Sequence, residues 1–206
     1  MSRNGVFISL EGVDGAGKTS LRELLMETIN FDNIISIREP GGTYISEKIR
    51  AVLLDAQNMG MAARTEALLY AAARSQVVEE IIRPALAQGK LVLADRYLDS
   101  TIAYQGYGRG LDLDFLTQLN ELCTGGLKPD LTLLLDVDPW EGLRRRGGEQ
   151  PDRLEQEGIV FQQKVRQGYL EIATREPERV KVINAGREQR EVLAEALGYL
   201  KELVGG

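Results

Sequence analysis

A short glycine-rich stretch carries residues that are suited to phosphate chemistry. Gly12, Gly17, Lys18 and Thr19 have the spacing Gly-x-x-x-x-Gly-Lys-Thr, which is the pattern of a phosphate-binding P-loop. Glycines let such a loop turn tightly so that its N–H groups face a phosphate, the lysine holds β- and γ-phosphate oxygens, and the threonine hydroxyl coordinates Mg²⁺. The sequence therefore predicts that a nucleoside triphosphate binds to Gly12, Val13, Asp14, Gly15, Ala16, Gly17, Lys18 and Thr19.

Charged residues also follow two apolar runs that have the composition of buried strands. Arg38 opens the segment Arg-Glu-Pro-Gly-Gly-Thr after one run, and Asp95 and Arg96 follow another. Open α/β sheets bind their ligands at such strand ends. Asp95 is suited to Mg²⁺, directly or through water, and Arg96 to phosphates. The alternatives are an ordinary charged turn at Arg38 and a capping aspartate at Asp95.

Two sets of polar side chains have helical spacing. Tyr70 and Arg74 are four residues apart, so an aromatic plane and a planar donor fork share one helix face. Such a pair is more often a core tyrosine beside a solvated arginine. The second set comprises Ser100, Thr101, Tyr104 and Gln105.

Two glycine-rich stretches carry arginines. Residues 106–110 predict a flexible loop with one fixed positive charge, Arg109. Residues 144–146 are three consecutive arginines, followed by paired glycines and, after Pro151, by Arg153. This second stretch is either a solvated surface or a mobile lid, at about 144–155, that brings arginine over the triphosphate.

Strand and helix patterns alternate along the chain, as in a doubly wound parallel sheet that forms one domain over residues 1–206. Within the long helix Pro84 predicts a kink or a break. The predicted strands are Val6–Leu10, Asn33–Ile37, Leu91–Ala94, Leu131–Val137 and Val180–Ile183. The predicted helices are Ser20–Ile29, Ile45–Leu54, Ala62–Gln88, Ser100–Gln105, Asp114–Leu122, Glu141–Arg146, Gly158–Thr174 and Glu188–Val204.

The composition excludes several classes of site. The 206 residues include no histidine and one cysteine, Cys123, which rules out an intrachain disulfide, a Cys/His zinc site and a Ser-His-Asp triad. Cys123 is expected to be a small core residue. The net charge of −6 argues against broad nucleic-acid binding. Neither a signal peptide nor a membrane span is apparent, so we expect a cytoplasmic protein.

Several motifs together resemble the thymidylate kinase family over nearly the whole chain. The resemblance implies transfer of the ATP γ-phosphoryl group to dTMP, giving dTDP and ADP for dTTP synthesis, with Mg²⁺. It also implies a homodimer and an α/β P-loop NTPase-type fold, with a five-stranded parallel sheet flanked by helices on both faces. The matching segments are 11–19, Arg38–Thr43, Ala72–Arg74, Asp95–Tyr97, Ser100–Thr101, Ala103–Gly106, Gly108–Gly110 and Asp152–Glu155.

The resemblance also implies roles for individual residues. At the phosphate and sugar end, Arg38 and Arg96 would hold the dTMP phosphate and Asp14 would lie at the 3′-hydroxyl. Tyr104 would occupy the space that a ribose 2′-hydroxyl needs, which would penalise ribonucleotides. At the other end Tyr70 would stack on thymine and Arg74 would donate to a base carbonyl. Three further side chains would line the base pocket: Ser100, Thr101 and Gln105.

The P-loop lacks the arginine that one branch of the family carries between Asp14 and Gly17. The chain therefore resembles the bacterial type, in which the lid provides the catalytic arginine. Arg153 matches that position, with one of residues 144–146 as a second candidate. The implied catalytic set is Lys18, Arg96 and Arg153, with Thr19 and Asp95 at the metal.

Two departures from the family pattern leave these roles possible. Tyr70 stands where phenylalanine is more common, and Gln150-Pro151 precedes Asp152 in place of a shorter run with leucine. There are two alternative functions. A kinase of another nucleoside or nucleotide would differ only in the base pocket. A GTP-dependent switch would need an Asn-Lys-x-Asp segment, which the sequence lacks.

Overall fold

The strands form one parallel sheet, and the strand that leads into the P-loop lies at its centre. The structure, a computed structural model, describes residues 5–29, 34–147 and 152–205. The strand order is β2-β3-β1-β4-β5, and every neighbouring pair is parallel. The strands are β1 Val6–Glu11, β2 Ile34–Arg38, β3 Leu91–Asp95, β4 Leu131–Asp136 and β5 Val180–Asn184. The predicted sheet is confirmed; the predicted first residue of β2, Asn33, lies outside the described residues.

Helices cover both faces of this sheet. Alternate residues of a strand point to opposite faces, and in β1 Ile8 and Leu10 belong to one apolar core while Phe7 belongs to the other. Because both faces are buried, the strands are almost continuously apolar. The helices are α1 Lys18–Thr28, α2 Tyr44–Leu54, α3 Ala63–Val77, α4 Arg83–Ala87, α5 Leu98–Thr101, α6 Leu113–Thr124, α7 Pro139–Arg146, α8 Gly158–Arg175 and α9 Gln189–Gly205.

The predicted interruption at Pro84 takes the form of a widened helical turn. α3 ends at Val77, a π-helical turn covers Val78–Ile82, and Pro84 lies in the first turn of α4. Proline has no N–H to donate and its ring crowds the carbonyl four residues earlier. A π turn relieves that crowding without ending the helical path.

The prediction of a flexible loop at residues 106–110 was wrong. The chain is helical from Ile102 to Gly108 in a π conformation that follows α5. The glycines serve close packing: a Cβ on Gly108 would lie 2.6 Å from the ring of Phe161 on α8, and a Cβ on Gly106 would lie 2.6 Å from Leu113. This segment therefore packs tightly against its neighbours.

Cys123 lies on α6 and is half-buried, so it is less enclosed than the predicted core position. Burial raises the pKa of its thiol.

Candidate active site

The P-loop encloses its own lysine. Gly15 and Gly17 have positive φ angles of 76° and 92°, which only glycine adopts readily, and α1 begins directly after them. Lys18 Nζ donates to the carbonyl oxygens of Gly12 at 3.0 Å and Val13 at 2.9 Å. Burial lowers the pKa of Lys18 to about 8, and the charge of Arg96 acts in the same direction. With this pKa the side chain is still mostly an ammonium ion near pH 7, and a bound phosphate would stabilise that form further.

The P-loop also touches the helix that leads towards the predicted lid. A Cβ built on Gly15 would lie 2.1 Å from the carbonyl oxygen of Gly142, and one on Gly142 would lie 2.4 Å from that of Asp14. The two backbones are therefore in direct contact, with no room for a side chain at either position. The last turn of α7 carries Arg144, Arg145 and Arg146, and Gly147 ends it.

Arg96 stands at the end of β3 with a left-handed φ of 72°, which is unusual for a residue other than glycine. Its Nη2 donates to Asp14 Oδ1 at 2.5 Å and to the Tyr104 hydroxyl at 2.9 Å. Burial alone would raise the pKa of Asp14, but the charges of Arg96 and Lys18 lower it, so this partner is an anion. The Nη1 group donates to three further oxygens, those of Gly12 (carbonyl), Ser100 and Tyr169.

A buried carboxylate lies beneath Arg96. Glu11 is fully buried; its Oε1 accepts the N–H of Tyr97 at 2.7 Å. Its Oε2 accepts the hydroxyls of Ser100 at 2.6 Å and Tyr169 at 2.8 Å. Because both hydroxyls donate to Glu11, their oxygens are free to accept from Arg96. Sequence reasoning gave Glu11 no role, although an acidic residue that ends an apolar strand directly before a P-loop was a usable signal.

Because Glu11 is buried, we expect the free energy of unfolding to depend on pH in a specific way. Burial, followed by the charge of Asp99, raises its pKa from 4.5 to about 7. Between about pH 4.5 and 7 the folded state therefore keeps a proton that the unfolded state releases. The free energy of unfolding falls as pH rises through this range, and the stabilisation present at low pH is lost above about pH 7. We expect urea unfolding between pH 4.5 and 7.5 to show wild type losing up to about 3 kcal/mol relative to Glu11→Gln. Parallel pH profiles for the two proteins would contradict this assignment.

The residues predicted to hold Mg²⁺ face each other. Thr19 Oγ1 donates to Asp95 Oδ2 over 3.4 Å, and Asp95 is buried. A hydroxyl and a carboxylate are the oxygen ligands that Mg²⁺ prefers, and Mg²⁺ sites of this kind use few protein ligands together with phosphates and water. In the described part of the chain no group of three or more acidic, histidine or cysteine side chains could hold a metal. The donor set at Thr19 and Asp95 fits the predicted ion.

A cavity of about 390 Å³ joins the P-loop to the side chains predicted to surround dTMP. Arg38 is half-exposed at its mouth, 3.8 Å from Glu47. Ser100 hydrogen-bonds at the Arg96 end of the cavity rather than at the end predicted for the base. The lining includes every predicted substrate residue: Asp14, Arg38, Tyr70, Arg74, Arg96, Ser100, Thr101, Tyr104 and Gln105.

Arg74, which lines the end predicted for the base, is itself almost fully buried and extensively bonded. Its Nε donates to Glu39 Oε2 at 2.7 Å, and its Nη1 donates to Thr101 Oγ1 at 2.8 Å. It also donates to Asn120 Oδ1 and the Tyr97 carbonyl. A bond to a base carbonyl would have to share this fork, and it stays a prediction.

Arg153 is bonded to residues of α2 and α3. It is fully buried, with Nη1 2.6 Å from Glu66 Oε2 and Nε donating to the Leu53 carbonyl at 2.7 Å. It lines neither of the two cavities that border the P-loop, whereas Arg146 lines both. Residues 148–151 of the predicted lid, including Gln150 and Pro151, lie outside the described residues.

A second cavity, of about 740 Å³, also borders the P-loop and was not predicted. Its walls include Arg145 from α7 and, from the segment after β5, Ala185 and Arg187–Gln189. The signal was available, because this segment follows a strand end of the same parallel sheet. It adds the charged and polar side chains of Arg187, Glu188 and Gln189 to the site.

Comparison with known proteins identifies the family. A sequence profile described as "Thymidylate kinase" matches residues 10–196. The chain belongs to the thymidylate kinase family. The thymidylate kinase of Desulforudis audaxviator is 53% identical over 189 residues, covering 90% of this chain and 85% of the relative. That of Symbiobacterium thermophilum is 48% identical over 201 residues, covering 97% and 94%.

A solved structure of a thymidylate kinase also resembles this chain. The crystal structure of thymidylate kinase from Ehrlichia chaffeensis matches with a TM-score of 0.75 and 37% identity, covering 95% of this chain and 98% of that one. The family and the α/β fold predicted from the motifs are thus both confirmed. None of the helices in the described ranges is long and apolar enough to cross a membrane.

Proposed function

We propose that this chain transfers the γ-phosphoryl group of ATP to dTMP, forming dTDP and ADP. The observation that carries the proposal is the cavity that connects the P-loop lysine, through Arg96, to a pocket bordered by Tyr70, Arg74 and Gln105. Donor phosphates at the loop and a nucleotide phosphate at Arg96 would then be adjacent. Family membership supports the same reaction.

The chemistry requires positioning and positive charge more than covalent participation. The transition state is loose and its charge is spread over the equatorial oxygens, so Lys18 and Arg96 would stabilise it as preorganised donors. Mg²⁺, held through Thr19 and Asp95, would neutralise charge on the β- and γ-phosphates. The phosphate of dTMP is already anionic, and no strong general base is needed.

Each substrate has a cavity of its own. We place the nucleoside of ATP in the cavity that Arg145 and Arg187–Gln189 border, because P-loop residues Gly15–Thr19 also line it. We place dTMP in the cavity that Tyr104 lines. Tyr104 is buried and its hydroxyl is bound by Arg96, so its ring has little freedom to move aside for a 2′-hydroxyl.

We assign the lid contact with the transferred group to Arg146 rather than Arg153. Arg146→Ala is expected to lower kcat about 100-fold, since Arg146 lines both cavities. It should lower the free energy of unfolding less than Arg153→Ala does, because the ion pair of Arg146 with Glu155 is partly exposed to solvent. Arg153→Ala should lower the free energy of unfolding by about 3 kcal/mol, because Glu66 is left buried with one cation fewer. Steady-state kinetics and urea unfolding of both variants test this. A 100-fold loss of kcat in a fully stable Arg153→Ala would return the role to Arg153.

We also propose a single-domain homodimer that acts in the cytoplasm. Leu68 on α3 is 48% exposed and Leu122 on α6 is 82% exposed, and these helices pack against each other. Exposed apolar side chains on adjoining helices are typical of a surface that another subunit covers. Light scattering of the purified chain, with Leu122→Glu as the disruptive variant, tests the dimer.

The decisive experiment measures ADP release from ATP and Mg²⁺ with each nucleoside monophosphate in turn, and with thymidine. We expect dTMP to give the highest kcat/KM. A higher value for thymidine or a purine monophosphate would favour the alternative, a kinase of another nucleoside or nucleotide, and would withdraw Tyr70, Arg74, Tyr104 and Gln105 from a thymine pocket.

A further inference from the structure

A buried carboxylate stands behind the pocket without lining it. Glu66 lies in the first turn of α3 and its side chain is completely buried. Its Oε1 accepts from Gln105 Nε2 at 2.9 Å and from Arg109 Nε at 3.2 Å. Its Oε2 accepts from Arg109 Nη2 at 3.0 Å and from Arg153 Nη1 at 2.6 Å. Glu66 is thus the common acceptor of two arginines and one amide.

Glu66 is ionised in this environment. Burial alone would raise its pKa, but the hydrogen bonds from Arg109 and Gln105 outweigh burial and the pKa lies below its ordinary value. An ionised carboxylate has acceptors and no donor. Each of its neighbours must therefore present an N–H.

This requirement fixes the orientation of the Gln105 amide. Its NH₂ group must face Glu66, so its other terminal atom, Oε1, is left for the cavity that Gln105 lines. In the described ranges no side chain or backbone N–H donates to Oε1. The cavity wall therefore offers an acceptor at this point, not a donor.

We propose that Glu66 is a positioning residue for base selectivity, because it holds Gln105 so that Oε1 accepts from the N3–H of a 2,4-dioxopyrimidine. This inference rests on the proposed function in placing the base beside Gln105. Thymine and uracil carry a hydrogen at N3, whereas N3 of cytosine is an acceptor. Cytosine would set two acceptors against each other, and a site with an unpaired buried polar group rejects its ligand strongly.

The same geometry gives Arg153 and Arg109 a function. Their two cations balance Glu66 and keep it ionised in a fully buried position. Arg109 in turn donates to Glu157 Oε1 at 2.5 Å, which anchors it from the other side. By keeping Glu66 ionised, Arg153 helps to fix the orientation of Gln105 at the base end of the cavity.

The test is the ratio of kcat/KM for dTMP to kcat/KM for dCMP. In Glu66→Gln the carboxamide can accept or donate, so the Gln105 amide is no longer held in one orientation. We expect the ratio to fall at least about tenfold, through a higher KM for dTMP, while kcat for dTMP stays within about threefold of wild type.

Glu157→Gln is the matched control. It makes the same chemical change on another partner of Arg109 but has no hydrogen bond to Gln105. We expect its dTMP to dCMP ratio to stay within about twofold of wild type. An equal fall in both variants would overturn the proposal, since general loosening around Arg109 would then explain the loss.

A second variant covers the case in which Glu66→Gln does not fold. The double variant Glu66→Gln with Gln105→Glu exchanges the two groups and keeps the net charge beside Arg109 and Arg153. The carboxylate at position 105 would accept from N3–H while the amide at position 66 donates to it, so selectivity should return to within about threefold of wild type. Failure to recover it, or an unchanged ratio in Glu66→Gln, would overturn the proposal while dTMP turnover by wild type left the proposed function intact. Wild type that does not phosphorylate dTMP would refute both.

Discussion

Replacing Lys18 with methionine is expected to lower kcat by about three orders of magnitude. The methionine matches the lysine in length but removes a cation that the P-loop holds through the carbonyls of Gly12 and Val13. That cation is preorganised, because its position is fixed before any phosphate arrives. A preorganised donor aimed at developing charge is worth about 10²–10³ in rate, and this one also carries a full charge.

The measurement is kcat at saturating ATP, Mg²⁺ and dTMP, with Lys201→Met on α9 as the control for the same substitution at an exposed lysine. The free energy of unfolding of both variants shows whether the fold survives. If Lys18→Met retained more than a tenth of wild-type kcat in a folded protein, Lys18 would not be the principal charge at the transferred phosphoryl group.

Changing Arg96 to lysine should lower kcat/KM for dTMP by about 10²–10³ although the charge is kept. The guanidinium reaches Asp14 and Tyr104 through one nitrogen, and Gly12, Ser100 and Tyr169 through the other. A lysine ammonium is a single point donor and cannot span both groups. The phosphate of dTMP would then meet a mobile charge in place of a fixed fork.

Arg83→Lys is the corresponding control, since Arg83 also binds two oxygens, the carbonyls of Thr124 and Gly125, but does so away from both P-loop cavities. Its kcat/KM should stay within about twofold of wild type. A loss below tenfold in Arg96→Lys would mean that charge alone, and not the fork, is required at the dTMP phosphate.

The P-loop, the strand ends and the meeting of Tyr70 and Arg74 at one cavity could be predicted because each obeys a simple rule. A glycine pattern between a strand and a helix specifies its own geometry, and parallel strands bring Arg38 and Asp95 to one edge of the sheet. Helical spacing placed Tyr70 and Arg74 on one face. These inferences need only short sequence patterns together with the rule that parallel strands end at the same edge of a sheet.

The sequence was uninformative where the role of a residue depends on contacts between distant segments. Gly106 and Gly108 have the composition of a loop, but Phe161 and Leu113 supply the close contact that explains them. The catalytic role of Arg153 stays a prediction from its motif, and the motif did not indicate that a buried carboxylate from α3 pairs with this side chain. Glu11 and Glu66 had no role until the hydroxyls, amides and guanidinium groups around them were brought together by the fold.

The contact between Gly142 and the P-loop limits how far α7 can move. The backbone of Gly142 bears directly on the P-loop at Gly15, so this point of the helix cannot advance towards the phosphates or shift sideways without moving the loop itself. Arg146 lies four residues further on, about 6 Å along the helix axis, so a tilt of α7 about Gly142 displaces it only a short distance. Tilting α7 by about 20° would carry its end only about 2 Å. A larger displacement of Arg146 would therefore require Gly142 to leave the P-loop or α7 to unwind ahead of Gly147, where a φ of 64° ends the helix.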